Sequence, residues 1–235
     1  MNDFCNMKEG LRMNCFFPEE HILQLEISEI QTANLVCTNE KLKELVIGYL
    51  LNYGLIQKLD DLQKLDISAS GEYAFAVVEK CGSDVRETVH AKEALKWMPI
   101  EQIYRLSEIR DCAEIMNKYA NKDKETGGVH CSALFSNQEV ISLFEDLGRH
   151  NTIDKIAGDM ILRSIEVKDT LLVTTGRISS DMVLKANKMG VSVIASYSTP
   201  TSRAIVMAEK ANMTLISYLG RDKRAVCTAP FRVVS

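Results

Sequence analysis

Leu23, Leu25 and Ile27 alternate with Gln24, Glu26 and Ser28, a period of two that predicts a half-buried strand near the start of the chain. Leu42, Leu45, Val46, Tyr49 and Leu50 then fall on one helical face, with Thr38 or Asn39 able to cap its start and Gly54 its end. Strand spacing returns at Tyr73, Phe75 and Val77, and Cys81-Gly82-Ser83-Asp84 follows as a turn or loop. Ile103, Leu106, Ile109, Ala113 and Met116 mark a second amphipathic helix.

Beyond the polar, glycine-closed stretch 121–128 the rhythm changes. Val129 to Phe135 and Val140 to Phe144 read as a hairpin around Ser136-Asn137-Gln138, and Ile153, Ile156, Ala157, Met160 and Ile161 lie on one face of a following helix. Strand 171–175, helix 181–189, strand 191–196, helix 201–211, and strands 214–218 and 225–228 complete the chain. Apolar strands alternating with helices predict an α/β layer with a largely parallel centre. The expected organisation is a mobile arm over 1–17, a smaller α+β lobe over 18–120 carrying the cysteine loop, and an α/β domain over 121–235.

The 46% of apolar residues can build a core, and the net charge of −4 argues against a nucleic-acid or membrane-surface binder. No run approaches the ~20 apolar residues of a membrane span, and Met1 to Arg12 lacks the apolar centre of a secretion signal. The seven cysteines are scattered, with no Cys-x-x-Cys pair, which fits reduced thiols and a cytoplasmic protein.

Three polar segments should leave the carboxyl ends of successive strands: 176–180, 197–201 and 219–224. Ligands bind at that edge of open α/β sheets, and helix N-termini there attract phosphate. Arg177, Arg203, Arg221, Lys223 and Arg224 supply further donors. Taken singly, Ser179, Ser180, Thr199 and Thr201 read as ordinary helix caps; together the three segments favour an anionic ligand such as a nucleotide. Neither Gly-x-Gly-x-x-Gly nor a Walker pattern is present.

The densest polar run, Glu145-Asp146-Leu147-Gly148-Arg149-His150-Asn151-Thr152-Ile153-Asp154-Lys155, has more hydrogen-bonding groups than a connector needs, and is expected to face a polar ligand through Arg149 and His150. Asp154 reads equally as a cap or brace of the helix that follows. Cys81 is the thiol best placed for chemistry, yet the residues alone favour an unreactive surface cysteine; Cys112, Cys131 and Cys227 read as structural. His130 and His150 could share a site, but the His-x-Glu and Pro-Cys-x-x-Cys signature of zinc deaminases is absent, and no protein-ligated metal is expected.

Gly-Gly-Val-His at 127–130, the run 145–155, Thr-Gly-Arg-Ile-Ser-Ser-Asp-Met-Val-Leu-Lys-Ala at 175–186, Ser-Thr-Pro-Thr-Ser-Arg-Ala at 198–204 and Ala-Glu-Lys-Ala-Asn-Met-Thr-Leu-Ile at 208–216 resemble the FdhD family of formate dehydrogenase accessory sulfurtransferases. The likeness runs in order through the C-terminal half and is looser before it, chiefly over 42–56.

The resemblance implies a cytidine-deaminase-like three-layer α/β/α core with a smaller lobe in front, as a homodimer. It implies a sulfur carrier loaded by a cysteine desulfurase, which passes persulfide sulfur to the molybdenum cofactor in its bis-molybdopterin guanine dinucleotide form. Formate dehydrogenase or a related molybdoenzyme would be served. Cys81 matches the family's persulfide cysteine, although the second loop thiol is replaced by Asp84. Tyr218, Leu219, Gly220, Arg221, Asp222 and Lys223 fall on the cofactor segment. Arg149, His150, Arg177, Ser179, Thr199 and Thr201 join them from the reading of the strand ends.

Overall fold

The computed structural model describes residues 17–79, 95–100, 102–120, 126–166, 169–220 and 225–235. The expected arm lies, but for Phe17, outside the described residues. In the smaller lobe β1 (His21–Ile27) and β2 (Gln31–Cys37) form a hairpin, β4 (Tyr73–Val78) pairs parallel to β1, and β3 (Leu62–Ile67) pairs antiparallel to β4. Helix α1 (Leu42–Asn52) covers this four-stranded sheet, its Leu45, Val46 and Leu50 sharing a core with Leu23, Leu25 and Ile27.

The pattern in β1 is as the alternation predicts. In β4 the faces are reversed: Ala74, Ala76 and Val78 are buried, while Tyr73 is exposed and Phe75 and Val77 are half-buried. The small side chains are the ones that let the strand lie close beneath the core, so size misled the reading by hydropathy. β2 and β3 escape sequence reading because their inner faces are only half-buried, apart from Cys37.

Helix α1 is not capped by Thr38 or Asn39. Its N-cap is Lys41, left-handed at φ 55° and without a side-chain bond. Thr38 is engaged elsewhere, and Asn39 donates to the carbonyl of Ser70 at 3.2 Å. Gly54 does end the helix, with φ 71° and its N–H on the Leu51 carbonyl.

The larger sheet has the order β11-β10-β9-β8-β6-β7. β6 (His130–Ser136) and β7 (Glu139–Asp146) are the expected hairpin, turning at Asn137 and Gln138, both with positive φ. β8 (Thr170–Thr174), β9 (Val193–Ser196) and β10 (Thr214–Ser217) are the parallel centre; β6 runs antiparallel to β8, and the short β11 (Ala225–Val226) antiparallel to β10.

Leu134, Leu172, Ile194 and Leu215 face a core shared with helices α3 (Arg149–Leu162), α4 (Ser180–Lys188) and α5 (Ser202–Lys210). Ala133, Phe135, Leu171, Val173, Val193 and Ile216 point the other way, toward helix α2 (Leu106–Tyr119). Helix α2 thus lies within the span read as the smaller lobe but packs on the larger sheet. Its Cys112 and the β6 residue Cys131 are buried in that core, as a structural role requires. A short pairing of β5 (Tyr104–Arg105) with β12 (Val233–Val234) ties the C-terminus down. Beside it the fully buried Arg232 donates to the carbonyls of Asn212, Met98 and Pro99.

Helices α1 and α3 cross almost backbone to backbone. A Cβ on Gly48 would lie 1.7 Å from the Asp154 carbonyl oxygen, and one on Gly158 would lie 1.9 Å from that of Glu44. This crossing joins the two sheets, and only glycine permits it.

Candidate functional site

Parallel pairing of β8, β9 and β10 sends the three following turns out at one edge. The hairpin then brings a second set of residues to that edge. Ser132 pairs with Thr174 and His130 with Asp146, so the Gly127-Gly128 entry to β6 and the start of α3 both lie beside the end of β8. Cross-bonds join the turns into a rim. Ile178 donates to the Thr199 carbonyl at 3.2 Å and Thr201 to that of Ile178 at 3.0 Å; Tyr218 and Leu219 donate to the carbonyls of Ser198 and Ser196, each at 3.1 Å. The Ser196 hydroxyl donates to the Gly176 carbonyl at 2.7 Å.

Several candidate side chains have plain structural duties there. Ser179 Oγ accepts from the Met182 N–H at 3.3 Å and Thr201 Oγ1 from that of Ala204 at 3.2 Å, so both cap helices. The Thr199 hydroxyl contacts the Pro200 carbonyl at 3.3 Å. Tyr218 takes a left-handed φ of 58°, Leu219 is buried, and Gly220 lies under the Tyr197 ring, where a Cβ would come within 3.0 Å of it. Arg177 is exposed. Arg149 folds over Gly176, whose missing Cβ leaves the room, and its Nε is buried without a hydrogen-bond partner. His150 Nδ1 stands 2.7 Å from Asp181 Oδ2. Cys81, Arg221, Asp222 and Lys223 lie outside the described residues.

The run 145–155 splits in two. Arg149 and His150 stay at the rim, half-buried, whereas Asp146, Asp154 and Lys155 turn inward and are essentially fully buried. Lys155 Nζ meets Asp146 Oδ2 at 2.5 Å and donates to Thr38 Oγ1 at 2.9 Å. The same carboxylate accepts from the Thr38 N–H and hydroxyl, from the Gly148 N–H and from Asn151 Nδ2. A buried ion pair is tolerable when its remaining lone pairs and protons are satisfied, and here they bind the end of β2 to the start of α3.

A second buried pair joins α3 to α4. Asp154 neither caps nor braces its own helix: it accepts from Lys185 Nζ at 2.8 Å and from Asn52 Nδ2 at 2.7 Å. Burial opposes the charge on Lys185, but the carboxylates of Asp154 and Asp181 outweigh it and raise its pKa above the ordinary lysine range. The Tyr53 ring lies 5.2 Å from the ammonium. Burial likewise works to raise Asp181, yet its contacts with His150 and Lys185 prevail and hold it below the usual carboxylate range.

Asp181 and Lys185 were missed by sequence reading. Their signal is the matched spacing of His150 with Asp154 and of Asp181 with Lys185, each i,i+4, which aligns two rungs between neighbouring helices. A cavity of about 430 Å³ opens near Gly128 and is lined by 17–21, 38–40, Thr126 and Val129. Among the described residues no group of three or more His, Cys, Asp or Glu is placed to hold a metal ion, and no helix is long and apolar enough to cross a membrane.

Residues 18–234 match the FdhD/NarQ family. The chain belongs to that family. It is 32% identical to the sulfur carrier protein FdhD of Bacillus subtilis (strain 168), across 94% of this chain and 90% of that one. To the protein of the same name from Geobacillus kaustophilus (strain HTA426) it is again 32% identical, across 92% and 89%. Its fold is similar to the crystal structure of a protein described as a formate dehydrogenase accessory protein from Desulfotalea psychrophila. The TM-score is 0.76 at 25% identity, covering 92% of this chain and 90% of that one.

Proposed function

We propose that this FdhD/NarQ family member is a sulfur carrier that assists formate dehydrogenase or a related molybdoenzyme. In this reading Cys81 bears a persulfide supplied by a cysteine desulfurase, and the sulfur goes to the molybdenum cofactor, bis-molybdopterin guanine dinucleotide, as the substrate held at the rim. The carrying observation is that four motif segments distant in sequence, 127–130, 145–155, 175–186 and 198–204, reach one edge of the larger sheet.

The residues there suit an anionic, phosphate-rich substrate. Helices α3, α4 and α5 begin at that edge, Arg177 is exposed, and Arg149 carries a buried Nε that no protein group satisfies. The order of β7, β6, β8, β9 and β10, with helices on both faces, supports a cytidine-deaminase-like layering. A homodimer working in the cytoplasm completes the proposal.

Persulfide chemistry needs one thiolate to accept sulfur and release it. Incubation with a cysteine desulfurase and isotopically labelled cysteine, followed by peptide mass spectrometry, should place labelled sulfur on Cys81. An active desulfurase that leaves Cys81 unlabelled overturns the reading.

The loop sequence Cys81-Gly82-Ser83-Asp84, with an aspartate in place of a second thiol, favours one alternative: a non-catalytic relative that holds the cofactor and acts as a maturation chaperone. A Cys81→Ala variant that still supports molybdoenzyme maturation selects this alternative; a folded but inactive variant removes it.

A further inference from the structure

His150 sits in the first turn of α3 with its side chain 32% exposed, and the carboxylate beside it is not a free surface group. Asp181 Oδ2 lies 2.7 Å from His150 Nδ1 and 3.5 Å from Lys185 Nζ. Lys185 is pinned by Asp154, and Asp154 by Asn52 at the end of α1, so a row of polar contacts runs from the smaller lobe to the rim. A carboxylate only accepts hydrogen bonds, so Nδ1 must carry a proton, and Nε2 is the one ring nitrogen left for a ligand.

We propose that Asp181 is a positioning residue: it holds His150 with Nδ1–H turned inward and Nε2 turned to the rim, where a proton shared between Nε2 and a phosphate oxygen of a nucleotide-like ligand forms the contact. Lys185 fixes the place of Asp181 through its own contact with Asp154, so two rungs between α3 and α4 set one imidazole. This rests on the anion-binding reading of the rim and extends it to a residue whose side chain need not touch the ligand. Geometry defined by a buried support is what distinguishes a ligand contact from a loose surface histidine.

The test uses nitrogen-15 NMR of the imidazole, assigned by its loss in His150→Gln, together with GDP affinity measured by calorimetry. The wild-type ring should show a protonated Nδ1 in a strong hydrogen bond. Asp181→Asn should lose that signature and bind GDP about tenfold more weakly or worse, as expected for one charge-assisted contact. His150→Gln should lose as much, the double variant no more, and Asp181→Glu should recover most of the affinity. Asp181→Asn gives up the ionic contact with Lys185 and should unfold at a modestly lower temperature. Its unfolding should still be cooperative because Asp154 remains as the buried counter-ion, so full folding at the temperature of the binding assay separates positioning from folding.

GDP binding by Asp181→Asn within twofold of wild type, or an unchanged imidazole spectrum, overturns the positioning role and leaves the rim reading intact. A loss in Asp181→Asn without one in His150→Gln also overturns it. Failure of the wild-type protein to bind GDP overturns the rim reading, and this role with it, whatever the imidazole spectrum shows.

Discussion

One stretch of eleven residues, 145–155, builds both the seam between the lobes and part of the rim, and the two regions use charge in opposite ways. In the seam, Asp146, Lys155, Asp154 and Lys185 are buried and meet partners from distant parts of the chain. At the rim, Arg149, His150 and Arg177 keep some exposure, and Arg149 retains a donor with no protein partner. A dense polar motif therefore does not mark a ligand site residue by residue. Its buried members are saturated and hold the scaffold, and its half-exposed members line the rim.

The sharpest way to break this comparison is to unpair the seam. Lys155→Ala or Asp146→Ala leaves a buried charge without its counter-ion and should cost about 3–5 kcal/mol of stability in urea unfolding. A loss below about 1 kcal/mol would mean that water reaches the pair and that the seam resembles the rim.

Alkali probes the smaller-lobe and α2 cores on either side of the seam. Burial foremost pushes the Cys37 and Cys112 thiols from 9.0 up to about 11, and the Tyr49 phenol up to about 12. Between the unfolded and folded values the native state binds more protons than the unfolded one, so stability falls as pH rises through that interval. Stability should be level up to about pH 9 and then drop toward pH 11, by roughly 2–3 kcal/mol for each such thiol. Cys37→Ala should shallow that drop in pH-dependent unfolding; an unchanged slope refutes the assignment. At neutral pH both thiols should resist alkylation while the protein is folded.

The α1–α3 crossing gives a smaller effect. Gly48→Ala or Gly158→Ala forces a methyl group into a facing carbonyl and should cost on the order of 1–3 kcal/mol. A neutral result would show that the helices can separate without loss.

The smallest effect belongs to the rim. Arg177→Ala should leave stability within about 0.5 kcal/mol of wild type while weakening GDP binding. A large destabilisation would place Arg177 among the scaffold residues and blur the contrast.

Much of this architecture is legible locally. The period of two in β1, the stop at Gly54, the β6–β7 hairpin, the helix caps at Ser179 and Thr201 and the alternation of strands and helices all follow from short-range rules. The convergence of three strand-end turns also follows, because parallel strands joined by helices must send their following turns to one edge.

The burial of single charges follows from no such rule. Asp154 is indistinguishable from a surface helix aspartate until Asn52 and Lys185 are brought to it, from 102 and 31 residues away. β4 shows its alanines to the core, and α2 crosses to the larger sheet, because packing rewards fit against a particular neighbour, which hydropathy does not encode. The amino-acid sequence by itself determined most of the elements, their order and the edge at which the strand-end turns emerge. Only the tertiary structure decided which members of the polar motif face inward, since the cost of burying a charge is set by the partners that folding supplies.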